Sequence, residues 1–417
     1  MGTDLKSRPA AFDRRLVYRP FLERLRPIAS LRELDERDLI VPRGHDPCDE
    51  RQPPIHVAFA DAAELSPGTQ MALVGGIGSG KTTELLLTQR VLSRHSDAVN
   101  VFVDLADYAD LNELNTGAIL ATVGMRLFSR QKRGSKAPPE QVTSAHTKLC
   151  ELALGKTTWV PIENWPGYDE GEERVRVDVP GLMRLRLPAL RREVKDVKEL
   201  LLTIASPLLA SDAQITLLID GLDRLIRGER FREYAGQDLQ ALKGTRMTVI
   251  VVAPLLLWYD KSRFLQDYFD VLKHIPAAAA DPSDSAFLKQ ILERRGALEL
   301  MESAEVTSIA KYSGGVLRDL LTLARSAAEY AYRDDQDRIG RKHVRAAIRQ
   351  LGNRYLAGLG TAHRLHLRRL ADDNEFRIGD PTALELLVNR QVLEYVRHGR
   401  EFFAVHPALA KVLPKRP

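Results

Sequence analysis

Short, mostly apolar runs recur along this chain, separated by longer stretches of helical periodicity. The runs at 71–74, 100–104, 215–220, 247–253 and 271–276 lack polar alternation, as strands buried on both faces require. Between them, 118–128 and 191–209 repeat apolar residues at helical spacing, and a short helix is expected at 21–25. Alternation of this kind predicts an α/β core built on a parallel sheet. The pattern breaks at 130–188. There a charged segment, 130–136, precedes two short strands, 158–165 and 174–179, around an acidic turn with two nearby tryptophans. That stretch is expected to be an insertion carrying a β-hairpin, a lid over the core or a partner contact.

Beyond an alanine-rich linker ending in Asp281-Pro282, the period becomes helical throughout, at 285–295, 304–311, 317–332 and 341–350. The tail then reads helix (362–370), helix (382–389), and two strands (392–396 and 401–405) across the turn Arg397-His398-Gly399-Arg400. Helix, helix and hairpin predict a winged helix. The expected organisation is an N-terminal extension over 1–54 and a core over 55–280. A helical lid over 281–352 and a winged-helix domain over 353–417 complete it.

One motif carries chemistry by itself. Gly75-Gly76-Ile77-Gly78-Ser79-Gly80-Lys81-Thr82 satisfies G-x-x-x-x-G-K-[ST], between the 71–74 strand and a helix that continues through Thr83. Glycines let successive backbone N–H groups curl around a polyphosphate, and the helix start adds its positive end. Lys81 is expected to reach the β- and γ-phosphates and the Thr82 hydroxyl to ligate Mg²⁺. The cofactors implied are ATP or ADP with Mg²⁺. Asp220 ends an apolar strand, where open α/β sheets place their ligands, and is the second expected Mg²⁺ ligand. Asp223 is a candidate general base for the attacking water, or a cap on the next helix.

The phosphate loop, the long gap and Leu217-Leu218-Ile219-Asp220-Gly221-Leu222-Asp223 resemble the AAA+ and STAND branches of the P-loop ATPases. The Asp-Gly-x-Asp form is similar to that of NACHT-type STAND proteins, which usually carry Glu where Arg224 stands. Ser313-Gly314-Gly315-Val316-Leu317-Arg318 resembles the sensor-2 segment of origin-recognition AAA+ initiators. This resemblance implies that Arg318 faces the γ-phosphate; otherwise it is a solvated helix arginine. It also implies a polar sensor-1 residue after the 247–253 strand, where this chain has Ala253-Pro254. Arg263 is the candidate arginine finger acting in trans, or a plain surface arginine. His406 occupies a place like that of the STAND histidine that closes on ADP, or it is a structural residue. The implied function is an ATP-hydrolysing switch, expected to be a homo-oligomer that acts on a protein effector or regulator. The alternative is an initiator-like or transposon target-selection-like ATPase that binds DNA through the winged helix. His363, Arg364, His366, Arg368, Arg369, Arg397 and Arg400 would then supply basic contacts.

Composition adds limits. A chain of 417 residues exceeds one compact core. With no apolar run long enough to span a bilayer and no secretory leader pattern, a cytoplasmic protein without membrane contact is expected. Two widely separated cysteines exclude a disulfide framework or a spaced zinc site. The net charge of +5 is too small to select a partner. Nuclease, protease, NADase and kinase-acceptor signatures are all missing from the sequence.

Overall fold

The computed structural model describes residues 13–26, 39–94, 98–107, 115–132, 137–161, 174–180, 191–225, 228–278, 282–397 and 399–414. In chain order, α1 (Arg14–Arg24) and α2 (Ile55–Leu65) lead into β1 (Gln70–Gly75), α3 (Lys81–Leu92) and β2 (Ala98–Asp104). Next come α4 (Ala118–Lys132), α5 (Glu140–Leu154), β3 (Gly155–Pro161), β4 (Arg174–Pro180), α6 (Arg191–Ala210) and β5 (Gln214–Asp220). The segment after β5 holds α7 (Gly228–Arg230), α8 (Gly236–Leu242), β6 (Thr248–Ala253), α9 (Phe264–Tyr268) and β7 (Val271–Ile275). Helices α10 (Pro282–Glu293), α11 (Ala297–Leu300), α12 (Ser303–Tyr312), α13 (Leu317–Arg333) and α14 (Arg341–Leu356) follow. The chain closes with α15 (Thr361–Asp373), α16 (Pro381–Val388), β8 (Val392–Arg397), β9 (Arg400–Val405) and α17 (Pro407–Ala410).

These elements form two compact units. One comprises Ile55–Val74 and Glu84–Lys273; the other comprises Met1–Pro54, Gly75–Thr83 and His274–Pro417. In the first, a five-stranded sheet runs in the order β2-β5-β6-β1-β7, with the β2–β5, β5–β6 and β1–β6 pairs parallel. Every residue of β1 and β6 is buried, and both strands are apolar beyond their first residues, Gln70 and Thr248. Parallel order brings the C-terminal ends of β1, β5 and β2 to one edge. Helix α4 takes its cap from far along the chain. The buried Asp238 carboxylate of α8 accepts from the N–H groups of Gly117 at 2.6 Å and Ile119 at 2.9 Å. Burial pushes the Asp238 carboxyl up to about 7, and the bonds from Gly117, Ile119 and Leu120 offset only part of that rise.

The region 130–188 departs from expectation in two respects. A fifteen-residue helix, α5, precedes the hairpin, and α4 continues to Lys132 into the stretch expected to be a linker. The hairpin itself is present, with Gly155 opposite Pro180 and Pro161 opposite Arg174. Its acidic turn and Trp165 lie outside the described residues.

In the second unit, α1 lies along α13. The Tyr18 hydroxyl donates to Gln336 O and Arg325 to Leu22 O. Arg295 is 1% exposed, and its guanidinium donates to the carbonyls of Arg24, Leu39 and Ile291. Burial pulls its pKa down to about 10. The tail is a winged helix, with α15 and α16 followed by the antiparallel β8–β9 pair. The molecule is thus a P-loop α/β core with a parallel sheet, an all-α lid and a C-terminal winged helix. No helix among the described residues is long and apolar enough to cross a membrane.

Candidate functional site

The sequence leaves the sheet at Val74 and turns at once. Gly78 and Gly80 adopt φ of +83° and +109°, a region closed to most side chains, and α3 starts at Lys81. The Lys81 ammonium, 4% exposed, donates to Gly75 O at 2.8 Å and Gly76 O at 2.7 Å. Ser79 Oγ is buried with no hydrogen-bond partner among the described residues. An orphaned hydroxyl on a glycine-rich loop at a helix start fits a bound phosphate group. Ile77 is partly exposed on the loop, and Thr82 and Thr83 occupy the first turn of α3.

The start of α13 rests on that loop. Leu317 N, the first N–H of the helix, donates to Gly78 O at 2.9 Å. A Cβ on Gly78 would come within 2.8 Å of Arg318 Cβ and 3.0 Å of Val316 Cγ1. The backbone and Cβ of Arg318 therefore lie beside the loop.

One residue further, Asp319 is 3% exposed and serves as a hub. Tyr355 Oη donates to Oδ2 at 2.5 Å, and Arg390 Nη1 donates to Oδ1 at 3.1 Å. His406 Nε2 lies 3.3 Å from Oδ2, off the line of an ideal hydrogen bond. Ala408 N donates to His406 Nδ1, which leaves Nε2 to carry the hydrogen toward Asp319. Burial alone would raise the Asp319 pKa. The bond to His406, the charge of Arg390 and the Tyr355 hydroxyl outweigh burial and hold it below the usual carboxylate range. The geometry puts the fully buried His406 against Asp319 and the cap of α17, the structural alternative for that residue. Val316 also packs with Leu393 and Tyr395 of β8, and the Tyr395 hydroxyl donates to Gly314 O at 3.0 Å. Loop, α13 and winged helix thus form one connected set of contacts.

At the sheet edge, Asp220 is buried and accepts from Gly221 N at 2.7 Å. The β2–β5 register sets Asp104 directly beside it. Asp104 is equally buried, and a Cβ on Gly221 would lie 3.0 Å from Asp104 Oδ1. Asp223 sits half-buried in the 3₁₀ turn Leu222–Arg224. That turn takes no side-chain cap, and Gly221 holds its N-cap position. Arg263 is exposed at the start of α9 with a left-handed φ of +53°. Strand β6 ends at Ala253, a residue with no polar side chain, as the sequence indicates.

Sequence reading missed two of these carboxylates. Asp104 carried a usable signal, an acid closing an apolar strand as Asp220 does. Asp319 carried none, since an acid in a first helical turn is ordinary. Side by side, Asp220 and Asp104 offer only hard oxygen donors, the type Mg²⁺ prefers.

No family model matches the chain, and no curated protein does. Solved structures do. The Aeropyrum pernix ORC2 protein in its ADP form is 16% identical, with 91% of this chain and 96% of that chain covered and a TM-score of 0.44. A chain of Drosophila ORC bound to DNA is 14% identical over 100% of this chain and 95% of that chain, with a TM-score of 0.41. The Thermotoga maritima RuvB T158V structure is 14% identical over 87% and 93%, with a TM-score of 0.41.

Proposed function

We propose that this chain is a nucleotide-operated switch, a P-loop ATPase whose winged helix responds to what the loop holds. The observation that carries the reading is the bond from Leu317 N to Gly78 O, with Asp319 two residues beyond, tied to Arg390 and His406. A change in the loop bears directly on the start of α13, and through Asp319 on β8 and α17. His406 then acts on the switch through Asp319.

In this reading the loop amides and Lys81 hold the β- and γ-phosphates of ATP, and Ser79 Oγ gains the partner it lacks. Thr82 and Asp220 hold Mg²⁺, which supplies charge neutralisation during transfer. Arg318 stabilises charge on the γ-phosphate, and Asp104 or Asp223 orients the attacking water. Arg263 would act on a neighbouring copy in a homo-oligomer, and a protein effector would read the winged helix. The initiator-like alternative gains little from α16, whose sequence Pro-Thr-Ala-Leu-Glu-Leu-Leu-Val lacks any basic residue for a DNA groove. His363 and His366 face Glu385 and Asp380 instead.

Lys81→Ala is expected to abolish binding of a fluorescent ATP analogue while leaving thermal unfolding unchanged. Asp220→Asn is expected to slow hydrolysis while changing ATP affinity much less. Hydrogen exchange along β8–β9 reads the coupling. ATP should alter it in the wild type and not in Lys81→Ala, and identical exchange with and without ATP would refute the switch.

A further inference from the structure

Helix α14 presents a row of cations that the nucleotide switch does not use. Arg341, Arg345 and Arg349 are exposed at successive four-residue steps, opposite a face buried by Val344, Ala347, Ile348 and Leu351. Four residues rise about 6 Å, so the row spans about 12 Å of helix. None of the three side chains forms a hydrogen bond or ion pair with another described residue. Like charges at this spacing repel one another along a helix. The row lines a groove of about 800 Å³ between α12, α14 and the chain after α17. Lys411 and Tyr312 contribute to the same groove, with the Lys411 ammonium 6.0 Å from the Tyr312 ring centre. One acid, Glu305, lies in the lining, so four cations face a single carboxylate.

We infer that this groove binds the phosphodiester backbone of duplex DNA. The argument is charge complementarity in kind and in spacing. A row about 12 Å long is too extended for one phosphate and suits a ligand that repeats its charge at short, uniform steps. Duplex DNA carries one charge per about 1.7 Å of axis. Guanidinium also matches phosphate oxygens with two donors at once, and every cation in the row is an arginine. Backbone contacts of this sort position a protein on a duplex without reading sequence.

Anisotropy of a short labelled duplex, titrated with salt against the full-length protein, tests this. Replacing all three arginines by Ala should lower the log–log salt slope by about 2.7, or 0.9 per lost contact. Between 50 and 200 mM salt the wild type should therefore lose roughly 40-fold more affinity than the variant. If the triple variant fails to fold, Arg345→Ala alone should lower the slope by about 0.9. The proposal is overturned if the wild type does not bind duplex at low salt, or if the variants keep its slope. It also fails if only Arg397→Ala with Arg400→Ala flattens the slope, which would move the contact to the wing. Polyglutamate competing as well as DNA at equal charge would overturn it in favour of an acidic protein surface.

Discussion

Asp238 and Asp319 are both buried aspartates close to a helix start, yet they titrate in opposite directions. Asp238, in the α/β unit, receives only backbone N–H groups at the start of α4, and its pKa rises to about 7. Asp319, in the unit that holds the phosphate loop, is surrounded by Arg390, His406 and Tyr355 and is held low. Burial acts on both. What separates them is a neighbouring cation, since dipoles repay part of the desolvation of a carboxylate and a full charge can repay all of it. The first arrangement caps a helix. The second joins three segments distant in sequence, a role suited to a relay.

Breaking Asp319 should have the largest effect. Asp319→Ala would leave the partly buried Arg390 without its carboxylate and the buried Tyr355 and His406 without their partner, at a combined cost of about 3–5 kcal/mol. Denaturant unfolding measures it, and a loss below about 1 kcal/mol would show that the hub is dispensable. Asp238→Ala should cost less, about 1–3 kcal/mol, because it orphans backbone donors without stranding a charge. Should Asp238→Ala prove the more damaging variant, the distinction between dipoles and cations would be wrong.

The finest test uses pH. Asp238 has a raised folded pKa, so between about 4 and 7 the folded protein binds a proton that the unfolded chain does not. Its contribution is fully present below pH 4 and is lost as pH rises to about 7. Asp319 has a lowered folded pKa. Its contribution is present above the ordinary carboxylate range and is lost as pH falls below it. In unfolding curves, Asp238→Ala should remove the gain in stability seen on going from pH 7 to pH 5. Asp319→Ala should leave that gain intact and remove the loss below pH 4.

The five core strands were legible because each is a short, mostly apolar run without strict polar alternation, as strands covered on both faces require. The loop was legible because a turn with glycines at φ of +83° and +109° tolerates few other residues. Helix α5 was not, because its exposed polar face and the charged stretch before it look like a break in pattern. His406 was placed near the end of its strand correctly. Nothing local indicated that it faces Asp319.

By itself, then, the sequence determined the glycine-rich turn that leads from β1 into α3, since its form belongs to the backbone of a few consecutive residues and the helix they start. It also determined the order of core, lid and winged helix, because hydrophobic period follows secondary structure directly. Only the tertiary structure decided which charges meet. The partners of Asp238 lie as far as 121 residues away and Arg390 lies 71 residues from Asp319. The pairing of Asp104 with Asp220 depends on two strands adopting one register. Coulombic and desolvation effects depend on distance and burial in three dimensions, and neither quantity is encoded by neighbours along the chain.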